Sequence, residues 1–125
     1  MARTRCDLGV VERSSYVTGF HVYKTEWKPK IGETLQGDMD PNNIHDLFAI
    51  SVKKNNQQVV GHIERGVRFS KTIFCFMRAD ETAKCVVTIV GNPINQGDKL
   101  GQKAPCTLCL TGQTKFVNVL HSNLH

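Results

Sequence analysis

The chain has 125 residues, 40% of them hydrophobic, which is the length of one ordinary domain with apolar material enough for a core; a disordered chain is excluded. The formal charge of +5 and the pI of about 9.1 suit a partner that is nucleic acid or an anionic surface. No apolar run nears the ~20 residues of a membrane span, and no secretory segment follows the basic start at Met1–Arg5. The five cysteines are irregularly spaced, so the expectation is an intracellular protein with reduced thiols and no membrane partner.

The cationic excess is uneven. Met1 to His62 holds eight basic and seven acidic residues, whereas Ile63 to His125 holds eight and four. Residues 1–14 mix polar and apolar positions without a period and are expected to form a flexible arm, with a single domain over 15–122. Tyr16–Tyr23 is rich in aromatic and β-branched residues and reads as a strand, with Gly19 marking a bulge or a close backbone approach. Pro29 and Gly32 punctuate a loop, and Thr34-Leu35-Gln36 starts a second strand ending at Gly37.

Asp40-Pro41-Asn42-Asn43-Ile44-His45-Asp46 joins the strongest turn signal in the chain to an apolar strand, Phe48–Lys53, in which Ile50 and Val52 alternate with Ser51 and Lys53. Asp46 can cap its own backbone or accept hydrogen bonds from a ligand. Lys54–Gln57 is a polar hairpin connection, and Gln58–Ile63 is the return strand. Such a pair can bring the turn and His62 together.

Arg65–Arg78 has helical periodicity. Val67, Phe69, Ile73, Phe74, Phe76 and Met77 fall on one half of the wheel; Arg65, Arg68, Lys71 and Arg78 lie on the other with no carboxylate among them. Asp80–Thr82 is a turn and Ala83–Val90 a strand. Gly91–Lys103 is a long flexible loop. Pro105–Thr111 alternates, with Cys106, Leu108 and Leu110 on one face, and Gly112 ends it. Lys115–Leu120 is a closing strand or a short helix. About six short strands with one main amphipathic helix suit a mainly β fold, a small and partly closed barrel.

Cys106-Thr107-Leu108-Cys109 has the C-x-x-C spacing, but zinc usually needs a second pair, and i and i+3 on a strand point to opposite faces. His45-Asp46 and His62 have no third partner that would make a nucleophile and an oriented base. No metal, cofactor or catalytic residue is expected. Single-strand nucleic-acid binding fits better, because it combines a cationic track with stacking platforms. The candidate cations are Arg65, Arg68, Lys71 and Arg78. The candidate platforms are Tyr16, Phe20, Tyr23 and Trp27, with His21 weaker and Phe20 better placed as core.

The pattern D-P-x-N-x-x-D-x-x-A-[IV] at Asp40–Ile50, followed by Val60-Gly61-His62-Ile63, resembles the HIRAN domain, and Gly19–Tyr23 extends the resemblance. HIRAN modules occur in helicase-like remodelling factors, in nuclease fusions and as small stand-alone proteins. The resemblance implies an OB-like barrel that holds the free 3′ end of single-stranded DNA, in a nuclear, DNA-repair setting and without catalysis. By position, Asp46 would receive the terminal hydroxyl, Asn43 and His45 would seat the last nucleotide, and His62, Arg65 and Arg68 would hold phosphates. His21-Val22 replaces the family's Arg-Tyr pair, and Val22 cannot stack a base, a loss of ~1–3 kcal/mol; His45 can still stack, and Tyr23 is a partial substitute. The alternative reading is a protein-interaction or targeting module on the same barrel, using a sheet edge or the basic helix against an acidic protein partner.

Overall fold

The computed structural model describes residues 8–20, 27–43, 46–64, 69–96 and 101–124. Seven strands and two helices follow in the order β1 (Leu8–Thr18), β2 (Thr34–Met39), β3 (Ile50–Lys53), β4 (Val59–Ile63), α1 (Phe69–Ala79), β5 (Lys84–Ile89), β6 (Ile94–Asn95), β7 (Gln102–Gln113) and α2 (Thr114–Asn123). All pairings are antiparallel. The sheet runs β1-β4-β3-β2-β5-β7, and β7 returns to β1, so six strands close a barrel. β6 is an addition at the margin, pairing Ile94 with Lys103 and Asn95 with Gln102.

Closure depends on the two long strands. β1 pairs with β7 from Leu8↔Gln113 to Val17↔Ala104, then turns its last residues to β4, with Val17↔Ile63 and Thr18↔His62. Residues 8–14, expected to belong to a flexible arm, are therefore the first half of a barrel strand. Their weak alternation has a structural cause, since only Val11 among them is buried while Leu8 and Val10 face outward. Gly19, at φ +72°, takes the chain out of β1 in a conformation that favours glycine. The expected continuation of that strand through His21 to Tyr23 lies outside the described residues.

β7 carries the cleanest pattern. Ala104, Cys106, Leu108, Leu110 and Gly112 are buried, and Pro105, Thr107, Cys109 and Thr111 are half-buried between them. Two glycines expected to end strands lie inside them instead, because glycine is required there by close approach. A Cβ on Gly37 would sit 2.7 Å from Cys85 Sγ, and one on Gly112 would sit 2.6 Å from Asp80 Oδ2 and 2.9 Å from Phe76 Cζ.

α1 buries Ile73, Phe74, Phe76 and Met77 against the barrel and leaves Lys71, Cys75 and Arg78 outside. The first four residues of the helix expected from sequence, Arg65–Arg68, lie outside the described residues. The closing segment is a helix, α2, which buries Val117 and Leu120 three positions apart. Part of the loop expected over Gly91–Lys103 is the β6–β7 pairing.

Asp80 joins the two helices. It is 1% exposed, and its carboxylate accepts hydrogen bonds from the Thr82 amide (2.9 Å), the Thr82 hydroxyl (2.7 Å) and the amide of Gln113, the N-cap residue of α2 (2.7 Å). Burial works against its charge. The Thr82 hydroxyl, the Gln113 and Thr82 amides and the Lys115 ammonium outweigh burial and hold the carboxyl below the ordinary 3.8.

Candidate nucleic-acid interface

The loop between β2 and β3 is built from its own polar side chains. Asp40 N donates to Ala49 O at 2.9 Å, which extends the β2–β3 ladder by one rung and brings the loop's ends together. Pro41 and Asn42 make the reversal, closed by Asn43 N donating to Asp40 O at 3.2 Å. Asn43 Oδ1 then accepts the Asp46 amide at 3.1 Å, and Asp46 Oδ1 accepts the Phe48 amide at 3.0 Å, so the loop holds two successive side-chain caps. Asn43 Nδ2 also reaches Asp40 Oδ2 at 3.5 Å.

His62 approaches from β4, where it is in register with Ser51 of β3 and Thr18 of β1. Its Nε2 lies 3.2 Å from Asp40 Oδ2. Gly61 permits this placement. A Cβ there would stand 2.8 Å from the Thr18 carbonyl oxygen and 2.9 Å from Val17 Cγ1, so β4 and β1 touch where the barrel closes. His62, Asp40, Asn43 and Asp46 thus form one hydrogen-bonded chain from β4 into the loop.

Lys71 reaches the same loop from α1. Its Nζ is 5.1 Å from the centroid of the Phe48 ring, and that ring packs edge-on against Phe74 of α1 with centroids 5.6 Å apart. Phe48 directly follows the turn that Asp46 caps, so α1 packs against the end of the loop. Of the side chains singled out from sequence, Asn43, Asp46, His62 and Lys71 come together in this way. His21, Tyr23, His45, Arg65 and Arg68 lie outside the described residues.

Two proposed stacking platforms have other work. Trp27 is 8% exposed, packs edge-on with Phe20 at 5.4 Å and donates its indole N–H to Glu33 Oε2 at 3.0 Å; it anchors a loop and offers no open face to a base. Tyr16 is half-buried with Lys103 Nζ 3.9 Å from its ring centroid, and the same ammonium lies 3.5 Å from Glu64 Oε2. The two residues of the C-x-x-C segment face opposite ways, Cys106 buried and Cys109 half-buried. Burial pushes the Cys85 and Cys106 thiols up to about 12, which makes both inert core residues.

Sequence reasoning missed Asp40 and Phe48. Asp40 opens the turn and the D-P-x-N pattern but carries no site role in the sequence reading, yet its carboxylate meets both Asn43 and His62. Its place beside Ala49 at the loop's return, within reach of a histidine two strands away, was not visible in a one-dimensional pattern.

A six-stranded antiparallel barrel closed by long first and last strands, with helical additions, is a small OB-like fold. The solved structures give it a finer description. The crystal structure of the HIRAN domain of human HLTF matches 93% of this chain and 90% of its own, with a TM-score of 0.69 at 20% identity. An NMR structure of the HLTF HIRAN domain in its DNA-bound conformation matches 90% of this chain and 84% of its own, with a TM-score of 0.61 at 19% identity. A protein from Lactobacillus plantarum matches 85% of this chain and 99% of its own, with a TM-score of 0.57 at 14% identity. No protein-family model and no curated protein matches the sequence. The chain has the HIRAN-domain fold.

Proposed function

We propose that this protein is a non-catalytic nucleic-acid-binding module that takes single-stranded DNA at its free 3′ end. The observation that carries the reading is the hydrogen-bonded chain from His62 through Asp40 and Asn43 to Asp46, on a fold whose HLTF counterpart is known in a DNA-bound conformation. A carboxylate has room for about four hydrogen bonds, so one that caps its own loop is also a group that a ligand hydroxyl can address. A terminal hydroxyl donates to such a group, whereas a continuing or terminal phosphate is repelled by it. Asn43 fixes the carboxylate's backbone, and His62 steadies the loop through Asp40. Lys71 supplies positive charge at the loop's edge. His21, Tyr23, His45, Arg65 and Arg68 complete the reading as base platforms and phosphate contacts, and a nuclear location accompanies it.

The test is end chemistry. A labelled oligonucleotide with a 3′-hydroxyl binds more tightly than the same strand with a 3′-phosphate in fluorescence anisotropy, and Asp46→Ala removes the difference. Equal affinity of the wild-type protein for both strands overturns the end-reading mechanism.

A further inference from the structure

A second surface meets that loop only at Lys71 and runs from there between the two helices. α1 and α2 enclose an open groove of about 680 Å³ lined by Lys71, Cys75, Phe76, Phe116, Val119 and Leu120, among others. Its floor is apolar, and Val119, 60% exposed, stands at its wall. Neither helix contains an Asp or Glu. Between them they carry Lys71, Arg78, Lys115 and His121, all exposed. The acid that joins the two helices, Asp80, is buried and consumed by three hydrogen bonds. Glu81, in the turn after α1, is the exposed acid next to them in sequence.

We propose that this groove is a docking site for a short amphipathic helix of a partner protein, with an apolar stripe flanked by carboxylates. An apolar lining that includes Lys71, with the Lys115 ammonium 5.0 Å from the Phe116 ring of that lining, is complementary to that one arrangement. The 11 residues of α1 make a rod about 16 Å long, so the occupant is a helix of about three turns. It inserts leucine-sized side chains at i, i+3 or i+4 and i+7 beside Phe116, Val119 and Leu120, and its glutamates face Lys71 and Lys115. The proposal does not depend on the DNA reading, and the groove's apolar lining has no function in that reading.

The probe is a stapled helical peptide of about three turns with leucines on one stripe and glutamates on both flanks, since an unstapled helix of that length is marginal in water. Its twin carries lysine in place of every glutamate. In fluorescence anisotropy against the full chain, the glutamate peptide binds and the lysine twin binds about tenfold or more weakly, the scale of a few ion pairs turned into like-charge contacts. Amide shift changes in ¹⁵N spectra gather on Thr72, Cys75, Val119 and Asn123. Val119→Asp weakens peptide binding about tenfold or more by placing a charge in the apolar wall, leaves oligonucleotide binding unchanged, and retains the wild-type spectrum elsewhere. Lys115→Glu narrows the preference between the twins. Equal binding of the two peptides, no binding of either, shift changes centred on Asn43 and His62, or a dimer in sedimentation that Val119→Asp dissolves would each overturn the proposal, the last by giving the groove to a second copy of the chain.

Discussion

His62 of β4 and Asp40 of the loop after β2 meet across β3, Nε2 to Oδ2 at 3.2 Å. They are 22 residues apart in the chain, and the contact fixes how the loop leans on the barrel. Both side chains are partly exposed, at 22% and 34% for His62 and Asp40, so the pair contributes modestly to stability. Its larger effect is on the position of Asn43 and Asp46. Asp40→Ala is therefore expected to cost about 1 kcal/mol in urea denaturation and to weaken oligonucleotide binding as well. Asp38→Ala is the control. It loses a comparable partly exposed pair, Asp38 Oδ2 to Lys53 Nζ at 3.3 Å, without touching the loop, and should leave oligonucleotide binding intact.

Gly61 and Gly19 test two different reasons for glycine. At Gly61 the reason is contact: an added Cβ meets the Thr18 carbonyl and Val17 at the seam where β4 joins β1. At Gly19 the reason is conformation, since φ is +72° and nothing lies within 4 Å of the added atom. Gly61→Ala should cost about 1–3 kcal/mol by overpacking, and Gly19→Ala about 1 kcal/mol by strain. Gly19→Asn should recover part of its loss, because asparagine tolerates that backbone region, whereas Gly61→Asn should be worse than Gly61→Ala. Thermal unfolding of the four variants ranks them.

The barrel was legible where burial alternates with period two. β4 and β5 were found within a residue, β3 within two and β7 within three; β5 and β7 put one face into the core and the other toward solvent, whereas in β3 Ser51 is buried together with Ile50 and Val52. β1 was half missed for the opposite reason: from Leu8 to Ser14 it buries only Val11, so its partner β7, and not its own pattern, makes it a strand. Gly37 and Gly112 misled for a related reason, as a glycine read locally says turn, whereas here each makes room for a side chain from another element. Of the candidate site, the Asp46 cap on the Phe48 amide was readable from residue type alone, since side-chain caps are local, whereas the Asn43 cap on the Asp46 amide was not expected. The Asp40–His62 and Lys71–Phe48 contacts are set by strand order and helix docking, which no spacing encodes.

Asp80 gives a pH dependence with a definite sign. Its folded-state carboxyl lies below 3.8, so the unfolded chain takes up the proton first as pH falls. The stability that Asp80 contributes is complete above 3.8 and is lost as pH drops from there toward the folded value. Asp80→Asn removes the charge but keeps the shape. The variant should be less stable than wild type at pH 6 in urea titrations, and the gap should close as the pH is lowered below 3.8. A gap that stays constant across that range would mean that the ionised carboxylate is not what holds the Thr82 and Gln113 amides.

Lys71 is the described cation that touches both the loop, through Phe48, and the α1–α2 groove. If it neutralises a phosphate of a bound single strand, Lys71→Ala should weaken binding and make the plot of log affinity against log salt shallower by about 0.7, the slope that one phosphate contact contributes on single strands. The loss should be the same for 3′-hydroxyl and 3′-phosphate strands, because an ammonium contacting the backbone carries no information about the terminus. Lys71 also packs on Phe48, so the variant must be shown to retain the loop. The amide shifts of Asp46 and Phe48 report this directly, and Lys71→Arg, which keeps the charge over the ring, should restore both affinity and slope. An unchanged slope in Lys71→Ala would place the strand on another part of the barrel and leave this lysine to the groove alone.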